Sequence, residues 1–434
     1  MSGRLPTLLR AYRICSAAAT PFTALFLARR LRRGKEHRLR LSERRGVSGM
    51  ARPPGPLVWI HSASVGELLS VLPLIERIRA RELNILVTSG TVTSSGLAEQ
   101  RMPRGVIHQF VPLDTPTFVR RFLEHWQPDL ALFVESELWP NIIVETSRRE
   151  VPMMLINARL SETSFRRWRY VPATIVSLLR RLDLCLARSA ADAERLSDLG
   201  APHVVAAGDL KLDGPAPPAD KTKLAMLQKA VGGRPLIAAA STHAGEETTV
   251  IEAHQKLRVN FPGLLTFIVP RHPERGAGLV EVACGLGLKS RLRSRGELPD
   301  AATDLYIVDS IGELGLIYRV APIVFVGGSL VKHGGQNPIE PAKLGAAILH
   351  GPHVWNFAEI YAALDQAHGA ELIPDDSKLT AAFSALIAQP AARASLADAA
   401  RTTVEGLGGA LERTLQSLDP YLMQLRLRQR ADNA

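Results

Sequence analysis

Short apolar runs alternate with helical segments along residues 46–212. The runs are Leu57–Ile60, Asn84–Thr88, Val106–Val111, Leu130–Val134, Met153–Ile156, Leu182–Ala187 and Val204–Ala206. Most are rich in β-prone residues and end in small or polar ones, as buried strands do. Apolar residues from Leu68 to Ala80 recur at helical spacing. Strands that alternate with helices predict a doubly wound α/β sheet.

The second half of the chain repeats this design. Its predicted strands are Leu236–Ala240, Leu264–Val269, Leu305–Val308, Ile323–Val326 and Ala346–Leu349. Residues 213–220 are rich in proline and read as a linker. We therefore predict two Rossmann-like domains, residues 46–212 and 221–434. Polar loops at the carboxyl ends of their strands are expected to line a cleft between the domains.

Residues 1–45 differ from the rest in charge. They hold twelve Lys and Arg against two Glu, which is +10 of the chain's net +11. Ile14–Ala28 is uncharged and largely apolar, but shorter than the roughly 20 residues of a secure membrane span. We predict a membrane anchor, either shallow or a marginal span, with the arginines against anionic lipid on the cytoplasmic side. The alternative is a solvated amphipathic helix.

The remaining composition excludes several classes of protein. Because residues 46–434 are nearly neutral, nucleic acid is not an expected partner. The three cysteines, Cys15, Cys185 and Cys284, fit no metal or redox spacing. Neither half carries a dinucleotide-binding glycine motif, a P-loop or a zinc helix.

Glu67 follows the first strand of the first domain and falls in the first turn of a helix. Ser64 and Glu67 have the spacing of a capping box, in which the carboxylate accepts from the Ser64 amide. A carboxylate near a helix N-terminus can also stay ionised and accept a proton from an attacking hydroxyl. Spacing alone leaves both interpretations open.

Two further polar groups are expected at this edge of the first domain. Glu135 and Glu137 end the Leu130–Val134 strand and point the same way in an extended chain. Glu135 can neutralise or orient a cation. Lys211 closes the domain and can contact a phosphate or carboxylate, although a lone lysine is more often solvated.

The second domain offers groups suited to an anion. Arg271 and His272 leave a buried strand into a loop with two prolines, where an arginine can bind an anion bidentately or pair with Glu274. The glycines of Gly327-Gly-Ser329 and Gly334-Gly335 are expected to free backbone amides. Asn337-Pro-Ile-Glu340 then has the pattern of a helix start, where phosphate binds, and Glu340 can take ribose hydroxyls or act as a cap.

Taken together, these runs resemble the 3-deoxy-D-manno-octulosonic acid (Kdo) transferases of lipopolysaccharide synthesis. The resemblance extends from about residue 57 to 357. Its main motifs are Trp59–Glu67, Glu135–Asn141, Asn157–Ser161, Gly208–Lys211, Ser241–Glu247, Pro270–Arg275, Gly312–Leu314, Gly327–Leu330, Gly334–Glu340 and Gly351–His353. Ser136 stands where the family often has threonine.

The resemblance implies a GT-B fold and an inverting glycosyltransferase of the inner membrane's cytoplasmic face. It would move Kdo from CMP-Kdo to a lipid A precursor, lipid IVA, with the acceptor on the N-terminal domain and CMP-Kdo on the C-terminal one. Glu67 would be the general base, and Glu135 and Lys211 would stabilise the transition state. The implied CMP-binding residues are Arg271, His272, Ile311, Gly312, Glu313, Asn337, Pro338, Ile339 and Glu340. No Asp-x-Asp motif is present, so we expect no metal cofactor.

Two other functions remain open from the residues alone. A membrane-bound nucleotide-sugar epimerase of the same fold would use the carboxylates on the sugar of its donor and need no lipid acceptor. A non-catalytic lipid-binding scaffold would bind no CMP nucleotide.

Overall fold

The computed structural model describes residues 5–432, and they form two compact units. The first comprises the chain up to Gly214 together with the segment from Gly408 onwards, and the second is Pro215–Leu407. The break after Gly214 falls inside the predicted linker. The prediction that residues 221–434 form one domain was wrong for the C-terminal segment, which packs with the first unit.

The first unit is built on a seven-stranded parallel sheet. Its strands are β1 (Leu57–His61), β2 (Asn84–Ser89), β3 (Ile107–Phe110), β4 (Leu130–Val134), β5 (Met153–Ala158), β6 (Leu184–Ala187) and β7 (Val204–Ala206). Their order is β3-β2-β1-β4-β5-β6-β7. Since β1 lies between β2 and β4, the residues that follow β1 and β4 are neighbours at the carboxyl edge.

From residue 5, where the described part of the chain begins, to the linker, ten α-helices accompany this sheet. They are α1 (Thr7–Ala18), α2 (Thr23–Arg32), α3 (Val65–Arg79), α4 (Val92–Arg101), α5 (Pro116–Trp126), α6 (Pro140–Ser147), α7 (Glu162–Arg169), α8 (Pro172–Leu179), α9 (Ala190–Asp198) and α10 (Leu210–Asp213). Helices α7 and α8 are separate, because Pro172 lacks the amide to continue α7 and opens α8.

The second unit repeats the design with another seven-stranded parallel sheet. Its strands are β8 (Leu236–Thr242), β9 (Leu265–Pro270), β10 (Ser290–Leu292), β11 (Leu305–Ile307), β12 (Ile323–Val326), β13 (Ala347–His350) and β14 (Ala370–Leu372). Their order is β10-β11-β9-β8-β12-β13-β14. The two strands that the sequence pattern missed, β10 and β14, are three-residue strands at the sheet's edges.

Eight helices belong to the second unit, and one more follows it. They are α11 (Lys221–Val231), α12 (Glu246–Leu257), α13 (Gly276–Gly285), α14 (Leu314–Val320), α15 (Ile339–Lys343), α16 (Ala358–Gln366), α17 (Asp376–Ala388) and α18 (Pro390–Gly406), then α19 (Ala410–Asp432). Helix α19 packs on α3 and α10 of the first unit. Its Leu415, Leu418 and Leu422 are buried in that unit's core, which explains why the C-terminal segment returns there.

The prediction of a membrane anchor in residues 1–45 requires correction where it allowed a marginal span. Met1–Arg4 of that range lie outside the described residues. Between residues 5 and 432, no helix is both long and apolar enough to cross a bilayer. The apolar stretch is divided because a 3₁₀ turn at Thr20–Phe22, which contains Pro21, separates α1 from α2.

The basic residues after α2 are partly built into the first unit rather than solvated. The side chains of Arg44 and Glu36 are only 6% and 1% exposed and form an ion pair of 2.9 Å. Arg44 also donates to the carbonyl oxygens of Val111 and Gly90, at 3.0 and 2.6 Å. The segment therefore belongs to the folded unit.

Candidate active site

Glu67 lies at the carboxyl edge of the first sheet, in the first turn of α3. Ser64 caps this helix, accepting from the Glu67 amide at 3.3 Å. The Glu67 carboxylate accepts from the Ser64 hydroxyl at 2.8 Å and from the backbone amide of Ala63 at 2.6 Å. The predicted capping arrangement is thus present, except that the carboxylate reaches the amide of Ala63 instead of that of Ser64. Glu67 remains half-buried at the edge where a substrate can reach it.

The surroundings of Glu67 shift the pKa of its carboxyl group. Burial raises the pKa of its carboxyl group above the ordinary value, while the hydrogen bonds from Ser64 and Ala63 lower it. The negative charges of Glu135 and Glu137 raise it further, and the net shift is upward. A carboxylate with a raised pKa is a stronger base, which is what general base catalysis needs.

Glu135 and Lys211, both of which the sequence placed at this edge of the first domain, are in contact. The Lys211 ammonium donates to Glu135 Oε1 at 2.7 Å, and the two side chains are 21% and 13% exposed. Lys211 reaches this position because α10 packs against α3 and its Leu210 amide is held by Asn157 Oδ1 at 3.0 Å. Glu135 has φ 59°, a left-handed conformation that costs free energy in a residue with a side chain.

Glu137 completes a group of three carboxylates. Burial alone would raise the pKa of Glu137, but a hydrogen bond from His61, the charge of His61 and the Trp139 indole together hold it below the ordinary value. His61 Nε2 lies 3.3 Å from the Glu137 carboxylate. The opposite ring nitrogen, Nδ1, lies 2.9 Å from the Thr88 hydroxyl, which fixes the ring. Glu137 is therefore an ionised neighbour of Glu67.

Two arginines at the same edge were not singled out as site residues from the sequence. Arg159 follows β5 and Arg188 follows β6, the same relation to a strand end that identified Glu67 and Glu135. Burial lowers the pKa of Arg159, and the charge of Arg188 adds to this, while Glu135 opposes it. Arg188 is paired with Asp192 at 3.2 Å. The edge thus combines carboxylates with cations suited to an anionic substrate.

Backbone amides of the second unit that were expected to bind an anion already donate hydrogen bonds within the protein. Glu246, which is 1% exposed, accepts hydrogen bonds of 2.7–3.0 Å from the amides of Gly328, Ser329, Leu330 and His243. The amides of Gly335 and Gln336 donate to carbonyl oxygens of Gly328 and Gly327. The prediction that these glycines free amides for an anion was therefore wrong for these positions. The glycines serve close packing instead: a Cβ on Gly327 would lie 2.6 Å from the Thr242 Cα.

A cluster of cationic and imidazole side chains lies at the carboxyl edge of the second sheet. His243 stacks on His333 with ring centroids 4.1 Å apart, and His272 lies edge-on to His243 at 5.8 Å. Burial lowers the pKa of His243, and the charges of His333, His272 and Arg271 lower it further. Arg271 is exposed. The cluster brings together the predicted Arg271 and His272 with His243 and His333, which sequence reasoning did not name as ligands.

The other predicted ligand-binding positions have distinct environments. Ile311 is 81% exposed and Gly312 has φ 85°. The carboxylate of Glu313 is held by Arg293 at 2.8 and 2.9 Å and by Ser310 and Lys223, which together lower its pKa to about 2. Glu313 therefore fixes the loop rather than presenting a free carboxylate.

The stretch Asn337–Glu340 begins helix α15, which has only five residues. Pro338 precedes the helix, and Ile339 is its first residue. Asn337 Oδ1 accepts from the Ile339 amide at 3.0 Å, so the asparagine side chain caps the turn. Burial raises the pKa of Glu340, and a hydrogen bond from Asn337 opposes the shift.

Known proteins resemble the chain over most of its length. Residues 39–214 match the profile described as "3-Deoxy-D-manno-octulosonic-acid transferase (kdotransferase)". The 3-deoxy-D-manno-octulosonic acid transferase of Haemophilus influenzae is 35% identical over 393 residues, 89% of this chain and 92% of the relative. The transferase of the same name from Bordetella pertussis is 35% identical over 427 residues, 95% of this chain and 99% of the relative.

More distant solved structures share the fold. A Rickettsia africae glycosyltransferase has a TM-score of 0.59 at 10% identity, covering 86% of this chain and 99% of its own. The "putative UDP-N-acetylglucosamine 2-epimerase" of Listeria monocytogenes has a TM-score of 0.60 at 13% identity, covering 85% and 97%. At these identities the similarity concerns the two-domain glycosyltransferase-like fold alone.

Proposed function

Because the chain belongs to the 3-deoxy-D-manno-octulosonic acid transferase family, it is a glycosyltransferase that transfers Kdo, and we propose that it moves Kdo from CMP-Kdo to a lipid A precursor. The precursor we expect is lipid IVA. The observation that supports this most directly is the group of Glu67, Glu135, Glu137 and Lys211 at one edge of a parallel sheet, where ligands of such folds bind.

Glu67 acts as the general base. An acceptor hydroxyl attacks the anomeric carbon of Kdo, the bond from that carbon to the CMP phosphate oxygen breaks, and Glu67 takes the hydroxyl proton. Attack from the side opposite the leaving group inverts the configuration. The raised pKa of Glu67 supports this role because it strengthens the base, and Ser64 and Ala63 hold the carboxylate in place.

Lys211 and Glu135 stabilise the charge that develops during transfer. The Lys211 ammonium is held by Glu135 at 2.7 Å, so its position is set before the substrate binds. Its remaining hydrogens can interact with the sugar carboxylate or the departing phosphate. Glu135 keeps the ammonium oriented.

The second unit holds CMP through Arg271 and His272, together with residues 311–313 and 337–340. The cluster of Arg271, His272 and His243 suits an anionic phosphate, since the exposed Arg271 guanidinium is cationic and the imidazole rings can donate hydrogen bonds. The Ile311–Gly312 turn and the Asn337–Glu340 turn then bind the nucleoside.

Within residues 5–432, no group of three or more His, Cys, Asp and Glu side chains can hold a metal ion. Metal independence stays a prediction. It is tested by measuring whether transfer activity is retained in EDTA.

The N-terminal segment associates with the surface of a membrane, which we propose to be the cytoplasmic face of the bacterial inner membrane. Phe22, Leu25 and Phe26 are 72%, 75% and 50% exposed. Neighbouring large apolar side chains are unusual on a surface that faces only water. The exposed arginines that follow, Arg29, Arg32 and Arg33, can bind anionic headgroups. The exposed Arg167 and Arg169 of α7 can attract the phosphates of a lipid acceptor.

The decisive experiment combines the purified protein, CMP-Kdo and lipid IVA, followed by mass spectrometry of the lipid. We expect the lipid to gain the mass of Kdo residues as CMP is released, and Glu67→Gln to abolish the gain while CMP binding persists. The protein's relatives at 35% identity are transferases, so the epimerase alternative is not favoured. Epimerisation of a nucleotide sugar without a lipid product would contradict the proposal.

Binding to vesicles tests the membrane proposal separately. The combined change Phe22→Ser, Leu25→Ser and Phe26→Ser should reduce co-sedimentation with anionic phosphatidylglycerol vesicles. The same exchange at Val259, Val282 and Leu286, exposed side chains of the second unit, is the control. Equal binding by both variants would exclude this surface.

A further inference from the structure

Helix α6 begins directly after the Glu135–Glu137 segment but lacks a cap of its own. Its N-cap residue, Trp139, makes no side-chain capping hydrogen bond. Asp114, from the loop after β3, provides the cap instead. It accepts from the amide of Asn141 at 3.1 Å and from that of Ile142 at 2.9 Å. The first turn of α6 is therefore held by a carboxylate from another part of the chain.

The same aspartate is bound by helix α1. The Tyr12 hydroxyl donates to Asp114 Oδ2 at 2.8 Å. The side chain of Asn141 donates to the Ser16 hydroxyl at 3.0 Å and accepts from Arg13 at 3.3 Å. Three residues of α1 thus reach the start of α6, directly or through Asp114.

Glu145 gives α1 a second attachment, farther along α6. Its side chain is 2% exposed and pairs with Arg13, whose side chain is 11% exposed. Glu145 also pairs with Arg148 at 3.0 Å, so the Arg13 pair adds to the hydrogen bonds of Tyr12 and Ser16 as one of several contacts that hold α1 on this surface. Helix α1 is therefore a fixed part of the first unit.

The segment between β4 and α6 depends on support at both ends. At its start, the Glu135 amide donates to the Ile156 carbonyl at 3.0 Å, and the Ser136 hydroxyl donates to the Arg159 carbonyl at 2.6 Å. Its end is the first turn of α6. Since Glu135 has φ 59°, a conformation that persists only when its surroundings hold it, loss of either support should let the segment relax.

We propose that Tyr12 and Asp114 are positioning residues for transfer: α1 holds the first turn of α6, and this turn holds Glu135 and Glu137 in the arrangement that Lys211 and Glu67 require. Helix α1, which precedes the exposed Phe22–Phe26 surface, then contributes to catalysis independently of membrane binding. The inference rests on the proposed function, since it assigns α1 a task in the same reaction.

Steady-state kinetics of Tyr12→Phe and Asp114→Asn in the full-length protein test this. We expect kcat with CMP-Kdo and detergent-dispersed lipid IVA to fall about three- to tenfold for Tyr12→Phe and further for Asp114→Asn. The KM for CMP-Kdo and binding to phosphatidylglycerol vesicles should not change. Tyr12→Phe removes one partly exposed hydroxyl group, so it gives a readout even where Asp114→Asn folds poorly.

Matched controls separate positioning from stability. Asp129 also accepts from a backbone amide, that of Leu57 at 2.9 Å, but at the amino end of β1. Tyr421, a partly buried tyrosine of α19, is the control for Tyr12. Asp129→Asn and Tyr421→Phe should lower the melting temperature at most, with kcat unchanged. The inference is overturned if Tyr12→Phe and Asp114→Asn keep wild-type kcat, or if their kcat falls only in step with vesicle binding. If the wild-type protein transfers no Kdo, the proposed function fails instead.

Discussion

The Lys211 ammonium lies 2.7 Å from Glu135 Oε1, although 76 positions separate the two residues in the chain. The contact forms because Glu135 directly follows the last residue of β4, and α10, which packs on α3, places Lys211 beside it. Either residue on its own could be an ordinary surface charge. As a pair they form a charged group with a defined position at the carboxyl edge of the sheet.

The first prediction concerns this pair. Lys211→Met and Glu135→Gln should each lower kcat about 100-fold or more, because each removes an oriented charge at the reacting centre. The double variant should be little worse than the more damaged single variant, since each acts through the other. The Arg77–Glu412 pair, whose side chains are about half exposed, is the control, and its loss should leave kcat unchanged. Additive effects at Lys211 and Glu135 would exclude a joint role.

The second prediction concerns the pH dependence of transfer. Glu67 must be deprotonated to act as a base, so its raised pKa places the acid limb of the kcat/KM profile above the ordinary glutamate value. The Ser64 hydrogen bond lowers that pKa, so Ser64→Ala should move the limb to higher pH. Thr91→Ala removes an equivalent helix cap from α4 and should leave the limb in place. An unmoved limb in Ser64→Ala would mean that another group is being titrated.

The third prediction concerns the donor. Arg271→Ala should raise the KM for CMP-Kdo and the Kd for CMP by about tenfold or more, the cost of one charge-assisted contact to phosphate. Calorimetric titration with CMP measures this without turnover. Arg258, an exposed arginine near Asp304 at the opposite edge of the sheet, is the matched control. Unchanged CMP affinity in Arg271→Ala would remove this residue from the binding site.

The fourth prediction concerns the N-terminal basic segment. Glu36→Gln leaves the buried guanidinium of Arg44 without its carboxylate, and should reduce the free energy of unfolding by about 3 kcal/mol. Urea denaturation measures the change. Arg38→Ala, in the same segment but exposed, should have almost no effect. Equal midpoints for the two variants would show that the segment does not stabilise the first unit.

The sequence pattern located most of the strands because burial and strand propensity are local properties. The bounds of β4, β7 and β12 agree with the prediction residue for residue. The short edge strands β10 and β14 were missed because three residues carry too little pattern. The C-terminal helix was assigned to the wrong unit because an amphipathic helix indicates a buried face but not what covers it.

The sequence alone therefore determined the parallel α/β design and placed Glu67, Glu135 and Arg271 where strands end. Only the tertiary structure decided which of these groups meet, because hydrogen bonds and ion pairs depend on strand order and on helices that return to the sheet. In the folded chain Lys211 donates to Glu135, and amides of the glycine loop donate to the buried Glu246. It also tied the predicted anchor, through Tyr12 and Asp114, to the helix that follows Glu137.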